Sequence, residues 1–370
     1  MQPSSQALEI ALEAGFDLAG TAPLRPPRAA SRFLKWLAEG RHGSMGWIER
    51  QSAKIVDPRR NFPEGKSILV LGLAHSRPDV SLPGGGRVAR YAAGRDYHNV
   101  VRRMLTKLAS GLRRAGLAGT SRRIVDAGPL LERSHAAEAG LGFESKAANL
   151  LHPSFGPWFF LGELLLDADL EPTTGPAAGS CGTCTACIDA CPTGAIFEPG
   201  RVDARDCISY QTIENRGVVP AGIRTQIGPW VFGCDICSEV CPWGHGAEDH
   251  SARFGVHSAV ADIGLVEWLE AGEELAGWVA ASPLQRPGRE GLARNAAIAL
   301  GNLPSDAGRR ALLHALKLDP SPIVREAAAW SLSKAHGSDS VTKAALERAS
   351  LAEQEAPIRA AIQTWRSNCG

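Results

Sequence analysis

CGTCTACIDACPTGAI, residues 181–196, packs four cysteines into eleven positions, and GCDICSEVCPW, residues 233–243, follows with three more. The spacing C-x2-C-x2-C-x3-C-P belongs to two-cluster iron–sulfur proteins. Three thiolates face one cube of iron and sulfide, and the cysteine before the proline ligates the other cluster. The first run is Cys181, Cys184, Cys187 and Cys191–Pro192. The second is Cys234, Cys237 and Cys241–Pro242, and position 231, where its first cysteine belongs, is a valine. Two [4Fe–4S] clusters need eight thiolates, and the region supplies eight once Cys207 is counted. The expected ligand sets are therefore Cys181, Cys184, Cys187 and the crossing Cys241 for one cluster. Cys191, Cys207, Cys234 and Cys237 are expected on the other. Cys369 is left over and idle. Pairs of CxxC knuckles also hold zinc, but zinc does not need the triple run with its trailing Cys-Pro.

Upstream, residues 1–170 mix helical and strand patterns. SILVLGLAH (67–75) and WFFLGELLL (158–166) are apolar runs of strand length. YHNVVRRMLTKLASGLRRAG (97–116) repeats Val100, Val101, Met104, Leu105, Leu108 and Leu112 at helical spacing, with Gly116 as its stop. RRIVDAGPLLERS (122–134) predicts a strand ending at Asp126, a Gly-Pro turn and a helix. The N-terminus predicts a short amphipathic helix with Leu8, Ala11 and Leu12 on one face. EPTTGPAAGSCG (171–182) reads as a linker into the cysteine region, 171–250.

Downstream, residues 251–370 are rich in alanine and leucine. GLARNAAIALGNL (291–303) aligns with PIVREAAAWSLSKA (322–335), so that Arg294 and Arg325 share a slot, and PIRAAIQTW (357–365) repeats it with Arg359. Helix pairs recurring every ~30–45 residues form an α-solenoid of the HEAT type.

A chain of 370 residues divides into two or three domains. Its 44% hydrophobic and 21% charged content and net charge of +1 describe a soluble protein. No apolar run approaches membrane-spanning length, and the N-terminus shows neither a signal peptide nor a twin-arginine leader. The expected location is the cytoplasm, where clustered cysteines serve metal or redox chemistry rather than disulfides. No GxGxxG follows a strand, so a Rossmann nucleotide site is unsupported. Residues 281–370 hold 12 Lys and Arg against 8 Asp and Glu, and the remainder holds 28 against 31. The basic tail leaves two readings of Arg294, Arg325 and Arg359: phosphate contacts, or ion pairs inside the solenoid.

Asp96, Tyr97 and His98 stand together at a helix start, and Asp126 closes a strand. These are materials for a proton donor beside a reducing centre. Taken singly they read as a helix cap, a surface histidine and a turn former.

The strings RYAAGRDYH (90–98), VDAGPLLERSHAAEAGLGF (125–143), WFFLGELLLD (158–167), DARDCISYQTIE (203–214) and the two cysteine runs, in that order, resemble the epoxyqueuosine reductases. The resemblance covers residues 1–250 nearly continuously and implies an α+β protein of three parts. A nitroreductase-like α/β cobalamin-binding domain would span 1–170, and a bacterial ferredoxin-like double [4Fe–4S] domain 171–250. C-terminal α-helical HEAT-like repeats that contact tRNA would span 251–370. It implies reduction of epoxyqueuosine to queuosine at the tRNA wobble position, the last step of queuosine formation. Electrons would come from an external low-potential donor and pass through both clusters to base-off cobalamin. No DxHxxG is present, as a cobalamin without a protein histidine on cobalt requires.

Asp126 would be the proton donor, with a carboxyl pKa raised by burial over the corrin, and Tyr97 and His98 would share its pocket. Corrin contacts would fall on Arg50, Ala89, Asp126, Leu150, Leu161, Ser209, Cys234 and Asp235, and a tRNA contact on Arg216. GLGFESK (140–146) departs from the family's GLGWxGK: Phe143 replaces Trp, Ser145 replaces Gly, and Lys146 is kept. The protein is expected to be a monomer without membrane contact. Two other readings share some of these parts: a reductive dehalogenase, and a ferredoxin-type carrier fused to an interaction solenoid.

Overall fold

The computed structural model describes residues 2–173 and 179–369. Part of the expected linker, residues 174–178, lies outside the described residues. The chain forms two compact units that interleave along the sequence. The first comprises Met1–Pro78, Asp96–Arg205 and Ile236–Phe254, and the second Asp79–Arg95, Asp206–Asp235 and Gly255–Gly370.

The first unit is built on a four-stranded antiparallel sheet. Its spatial order is Leu18–Pro23, Ser67–Ala74, Phe159–Leu166, Ser121–Ile124. Both apolar runs are strands, and Ser67–Ala74 is buried at every position, as a strand apolar on both sides must be. On one face, Ile68, Val70, Ile124 and Leu165 pack with Ala136 of the helix Glu132–Glu138 and with Ala139 just beyond its end. On the strand Phe159–Leu166, Gly162 is where the long helix Tyr97–Arg114 comes closest: a Cβ there would stand 2.7 Å from Val101. That helix buries Val101, Leu105, Leu108 and Leu112 of the stripe its sequence spacing predicts, and leaves Val100 and Met104 half-buried. The N-terminal helix Pro3–Glu13 turns differently from expectation. It buries Ser4, Ala7 and Ala11, and Leu12 is 50% exposed. Small residues at i and i+4 let this helix approach closely, and the larger leucine is left outside.

In the second unit, Arg87–Val88 pairs in parallel with Trp230–Phe232. Helices Gly288–Asn302, Asp306–Leu318, Pro322–His336, Ser340–Ala352 and Ala356–Ser367 then form the repeat array. Side-chain caps start two of them: Ser305 accepts from Gly308 N–H, and Asp339 from Thr342 N–H. The first and third helices touch at Gly301, where a Cβ would fall 2.6 Å from Ser331.

The repeat arginines prove to be structural. Arg294 is 1% exposed and donates to the carbonyls of Gln211, Asn215 and Gly217 and to Asn295 Oδ1. Arg325 pairs with Glu353 at 2.7 Å, and Arg359 donates to the Glu353 carbonyl at 2.9 Å. Of the three, Arg325 is held by an ion pair, and Arg294 and Arg359 are held through carbonyls. No described helix is long and apolar enough to cross a membrane.

Candidate active site and thiolate cavity

The turn after strand Ser121–Ile124 puts Asp126 at φ 51°, in the left-handed region. Such a conformation costs a non-glycine residue roughly 1–3 kcal/mol, and it persists only where neighbours over-determine it. Three contacts do so. The Asp126 N–H donates to Glu132 Oε1 at 2.7 Å. Its Oδ2 accepts the Tyr97 hydroxyl and lies 3.2 Å from His98 Nε2. The other ring nitrogen of His98 stands 2.7 Å from Asp96 Oδ1. A neutral imidazole has one N–H; a ring that faces a carboxylate at each nitrogen needs two. His98 is therefore an imidazolium: burial opposes its charge, but the bonds to Asp126 and Asp96 raise its pKa to about 9.

Asp126 itself departs from the sequence expectation. Burial pushes its carboxyl up, but the hydrogen bonds of His98 and Tyr97 and the charge of His98 win and hold it below the usual carboxylate value. Its side chain keeps 58% of its surface open, so part of the burial cost is never incurred. Asp96 both caps the helix, accepting from His98 N–H at 2.9 Å, and orients the His98 ring. Tyr97 is sandwiched, with its ring 4.1 Å from those of Phe160 and His98. Two carboxyls overlooked in the sequence, Glu132 and Glu163, lie behind Asp126. The signal for one was present in WFFLGELLL: a lone acid in an otherwise apolar strand.

Cys181, Cys184, Cys187 and Cys241 line one cavity of about 50 Å³, with Cys237 also at its wall. The crossing cysteine, 54 residues beyond Cys187, thus meets the first run. Burial pushes the Cys187 and Cys241 thiols up, and the charge of Cys181 adds to both. The GLGFESK segment borders this cavity. Lys146 Nζ donates to the carbonyls of Gly182 and Cys184 at 2.8 and 2.9 Å, and Lys146 N–H reaches Cys181 Sγ at 3.4 Å. Ser145 Oγ accepts from the N–H groups of Ala147 and Asn149, and Phe143 meets the Trp243 ring edge-on at 5.2 Å. The departure from the family pattern therefore touches the thiolate cavity.

Of the other expected positions in the first unit, Arg50 is exposed on the helix Gly46–Val56. Leu150 and Leu161 pack into the sheet core with Phe159 and Leu165. Cys191 and Cys237 also belong to this unit. In the second unit, Cys207 precedes the helix Ile208–Ile213, which carries Ser209. Thr212 of that helix accepts the Gly233 N–H at 2.9 Å, next to Cys234 and Asp235. Gly233, at φ 68°, lies so close to Ala89 that a Cβ would stand 2.5 Å from the alanine's own. Asp235 accepts the Arg90 N–H at 2.6 Å. Hydrogen bonds and packing thus join the segments carrying Ala89, Ser209, Cys234 and Asp235. Arg216 is exposed and donates to the Arg286 carbonyl.

Besides His98, residues 97–125 contain seven Lys and Arg and no acid. Arg102, Arg103, Lys107, Arg113, Arg114, Arg122 and Arg123 are all exposed, on the long helix, its exit and the neighbouring edge strand. Arg123 donates to Thr106 Oγ1 at 2.6 Å, which joins strand and helix into one strip.

Residues 56–127 match the family model described as epoxyqueuosine reductase QueG, 180–244 a 4Fe-4S double cluster binding domain, and 284–365 HEAT repeats. An epoxyqueuosine reductase of Xanthomonas campestris is 40% identical over 89% of this chain and 94% of its own length. That of Pseudomonas aeruginosa is 37% identical over 88% and 92%. A crystal structure of epoxyqueuosine reductase with an epoxyqueuosine-modified tRNA-Tyr stem loop matches 99% of this chain and 98% of its own, with TM-score 0.89 and 28% identity. A Bacillus subtilis epoxyqueuosine reductase, solved with its catalytic aspartate loop swung out of the active site, matches 98% of each chain at TM-score 0.88 and 28% identity.

Proposed function

The chain belongs to the epoxyqueuosine reductase family, and from that premise we propose that it reduces epoxyqueuosine in tRNA, with Asp126 handing on the proton. Two electrons and two protons convert the epoxide to the alkene of queuosine and release its oxygen as water. The observation that carries the assignment is the set Tyr97–Asp126–His98: an open carboxylate bonded to two groups that both hold protons. With its pKa depressed, Asp126 is ionised at rest. It takes a proton from the His98 imidazolium or the Tyr97 hydroxyl and passes it to the epoxide oxygen.

Cys181, Cys184, Cys187 and Cys241 are the proposed ligands of one [4Fe–4S] cluster. Four crowded thiols at one cavity suit a cationic cluster core, and the N–H of Lys146 offsets charge on Cys181. By count, Cys191, Cys207, Cys234 and Cys237 serve the second. Trp243 at the cavity wall also lines an open groove of about 680 Å³, with Pro153, Phe155 and Glu248. This is the proposed side of approach for an external low-potential donor.

The proposed corrin-holding residues are Arg50, Ala89, Asp126, Leu150, Leu161, Ser209, Cys234 and Asp235. The segment at Ala89 and Gly233 fits a broad planar ring: two minimal side chains in close backbone contact offer little relief to clash with it. Cobalamin, once bound, supplies the low-potential metal centre that C–O bond reduction requires. The tRNA is the proposed partner because a relative is solved with the modified stem loop. The strip at 97–125 supplies cations for its phosphates, beginning at the helix end that carries His98. A wobble base is read splayed from its loop rather than in a duplex.

The test is Asp126→Asn in protein reconstituted anaerobically with iron, sulfide and cobalamin. Turnover of epoxyqueuosine-tRNA is followed by nucleoside mass spectrometry, and cofactor retention by visible absorption. The variant should keep both absorption signatures and lose turnover. Wild-type turnover would reject Asp126 as the acid, and loss of the cobalamin signature from both proteins would reject the corrin.

A further inference from the structure

Glu163 occupies the middle of the strand Phe159–Leu166 and is 0% exposed. Across the sheet it faces Val70 on one side and Ile124 on the other, both apolar. Neither of its oxygens meets a hydrogen-bond donor. The group within hydrogen-bond reach is another carboxyl, that of Glu132. Two carboxylates are both acceptors and repel, so a bond between them needs a proton. Glu132 in turn accepts the Asp126 N–H through Oε1 at 2.7 Å. A chain of contacts therefore runs from a buried, otherwise unsatisfied acid to the backbone of the strained turn at Asp126, φ 51°.

We propose that Glu132 and Glu163 share one proton and act as positioning residues, latching the Asp126 turn in place until that proton is lost. The proposal rests on Asp126 being the group that meets substrate, and on the aspartate loop of a relative having been observed away from its site.

Burial and then the charge of Asp126 push Glu132 up to about 7, and burial with the charge of Glu132 raises Glu163 well above the ordinary value. The pair thus holds its proton near neutrality. The sign follows: the folded protein binds a proton here that the unfolded chain has already released. Stability falls as pH climbs from the ordinary carboxylate range through these raised values. Above them, two buried anions repel and Glu132 leaves the Asp126 N–H. The other charges around the pair are Asp126, which disfavours a second anion, and Arg133, which favours one. His135 on the same helix is fully buried, with neither ring nitrogen hydrogen-bonded. Burial lowers its pKa to about 4, so it is neutral throughout this range.

Amide hydrogen exchange of the cofactor-free full chain tests this, read in peptides spanning residues 125–131 from pH 6 to 8, below the titration of His98 at about 9, and corrected for intrinsic rates. Protection in the wild type should fall by about tenfold or more across that interval. Glu163→Gln places an N–H donor where the shared proton was, and its profile should be flat. Glu132→Gln changes a half-buried position and should also be flat, because its amide donates to Glu163 and its oxygen still accepts from Asp126. Wild-type protection that ignores pH overturns the latch, as does a fall of equal size in either variant. Because the measurement needs neither cofactor nor tRNA, the latch and the catalytic assignment fail separately. Wild-type turnover by Asp126→Asn beside a pH-dependent, glutamine-flattened profile would keep the first and remove the second.

Discussion

Two regions of this chain bury ionisable groups, and they satisfy them differently. In the helical repeats, Arg294 is closed off by three carbonyls and an asparagine, and Arg325 by Glu353 and two carbonyls. Behind Asp126, the buried Glu163 carboxyl faces that of Glu132 and meets no donor, and an aspartate sits in a left-handed turn. A satisfied network has one low-energy arrangement. A strained, proton-dependent one has two of similar energy, which is what a group that must exchange protons needs. On the proposed function, the repeats use charge for rigidity and the sheet uses it for chemistry.

That contrast can be broken at its strongest point first. Asp126→Asn should lower turnover by about 10²–10⁴-fold, the usual worth of a positioned acid, while melting at nearly the wild-type temperature. A loss of fold instead would make Asp126 a structural residue like Arg294. The reverse result is expected of Arg294→Met. It strands three carbonyls, that of Gln211 buried, and should cost about 1–3 kcal/mol, seen as a lower melting temperature or denaturant midpoint. The folded fraction should bind tRNA as the wild type does, and selective loss of RNA affinity would restore the phosphate reading.

A smaller effect sharpens the chemical side. Because His98 titrates at about 9, turnover should hold up to that pH and fall beyond it, as the imidazolium that supplies Asp126 disappears. His98→Gln should remove this alkaline limb along with most activity. The same titration bears on stability. The pKa of His98 is raised on folding, so its contribution is complete below the ordinary histidine value and is lost as pH rises through about 9. Smallest is the exposed strip. Each of Arg103→Glu, Lys107→Glu and Arg114→Glu should weaken tRNA binding severalfold and lower the salt slope by about one, with kcat unchanged. An unchanged slope would place the RNA elsewhere.

The periodic parts of the molecule were legible in the sequence. The stripe from Val101 to Leu112 and the runs at 67–75 and 158–166 gave their elements within a residue or two, because local side-chain spacing decides them. Where the reading slipped, size and distance were the cause. Leu12 looked like a core residue, but Ala7 and Ala11 permit a closer approach than leucine does. Lys146 stands in a segment far from the cysteine runs, but it binds the loop of Cys181 and Cys184, some 35 residues on.

By itself the sequence determined which residue types were available at which spacing: seven thiols in two runs with Cys207 between them, a Tyr-His pair after Asp96, and alanine-rich repeats. A ligand run or a helix stripe is set within a few residues of chain, where covalent geometry leaves little choice. Only the tertiary structure decided that Arg294 is sealed rather than free, and that Glu163 faces Glu132. It also decided the sign of the Asp126 shift. That sign is a difference between burial and two hydrogen bonds, and no single one of those contributions can be read from a residue's place in the chain.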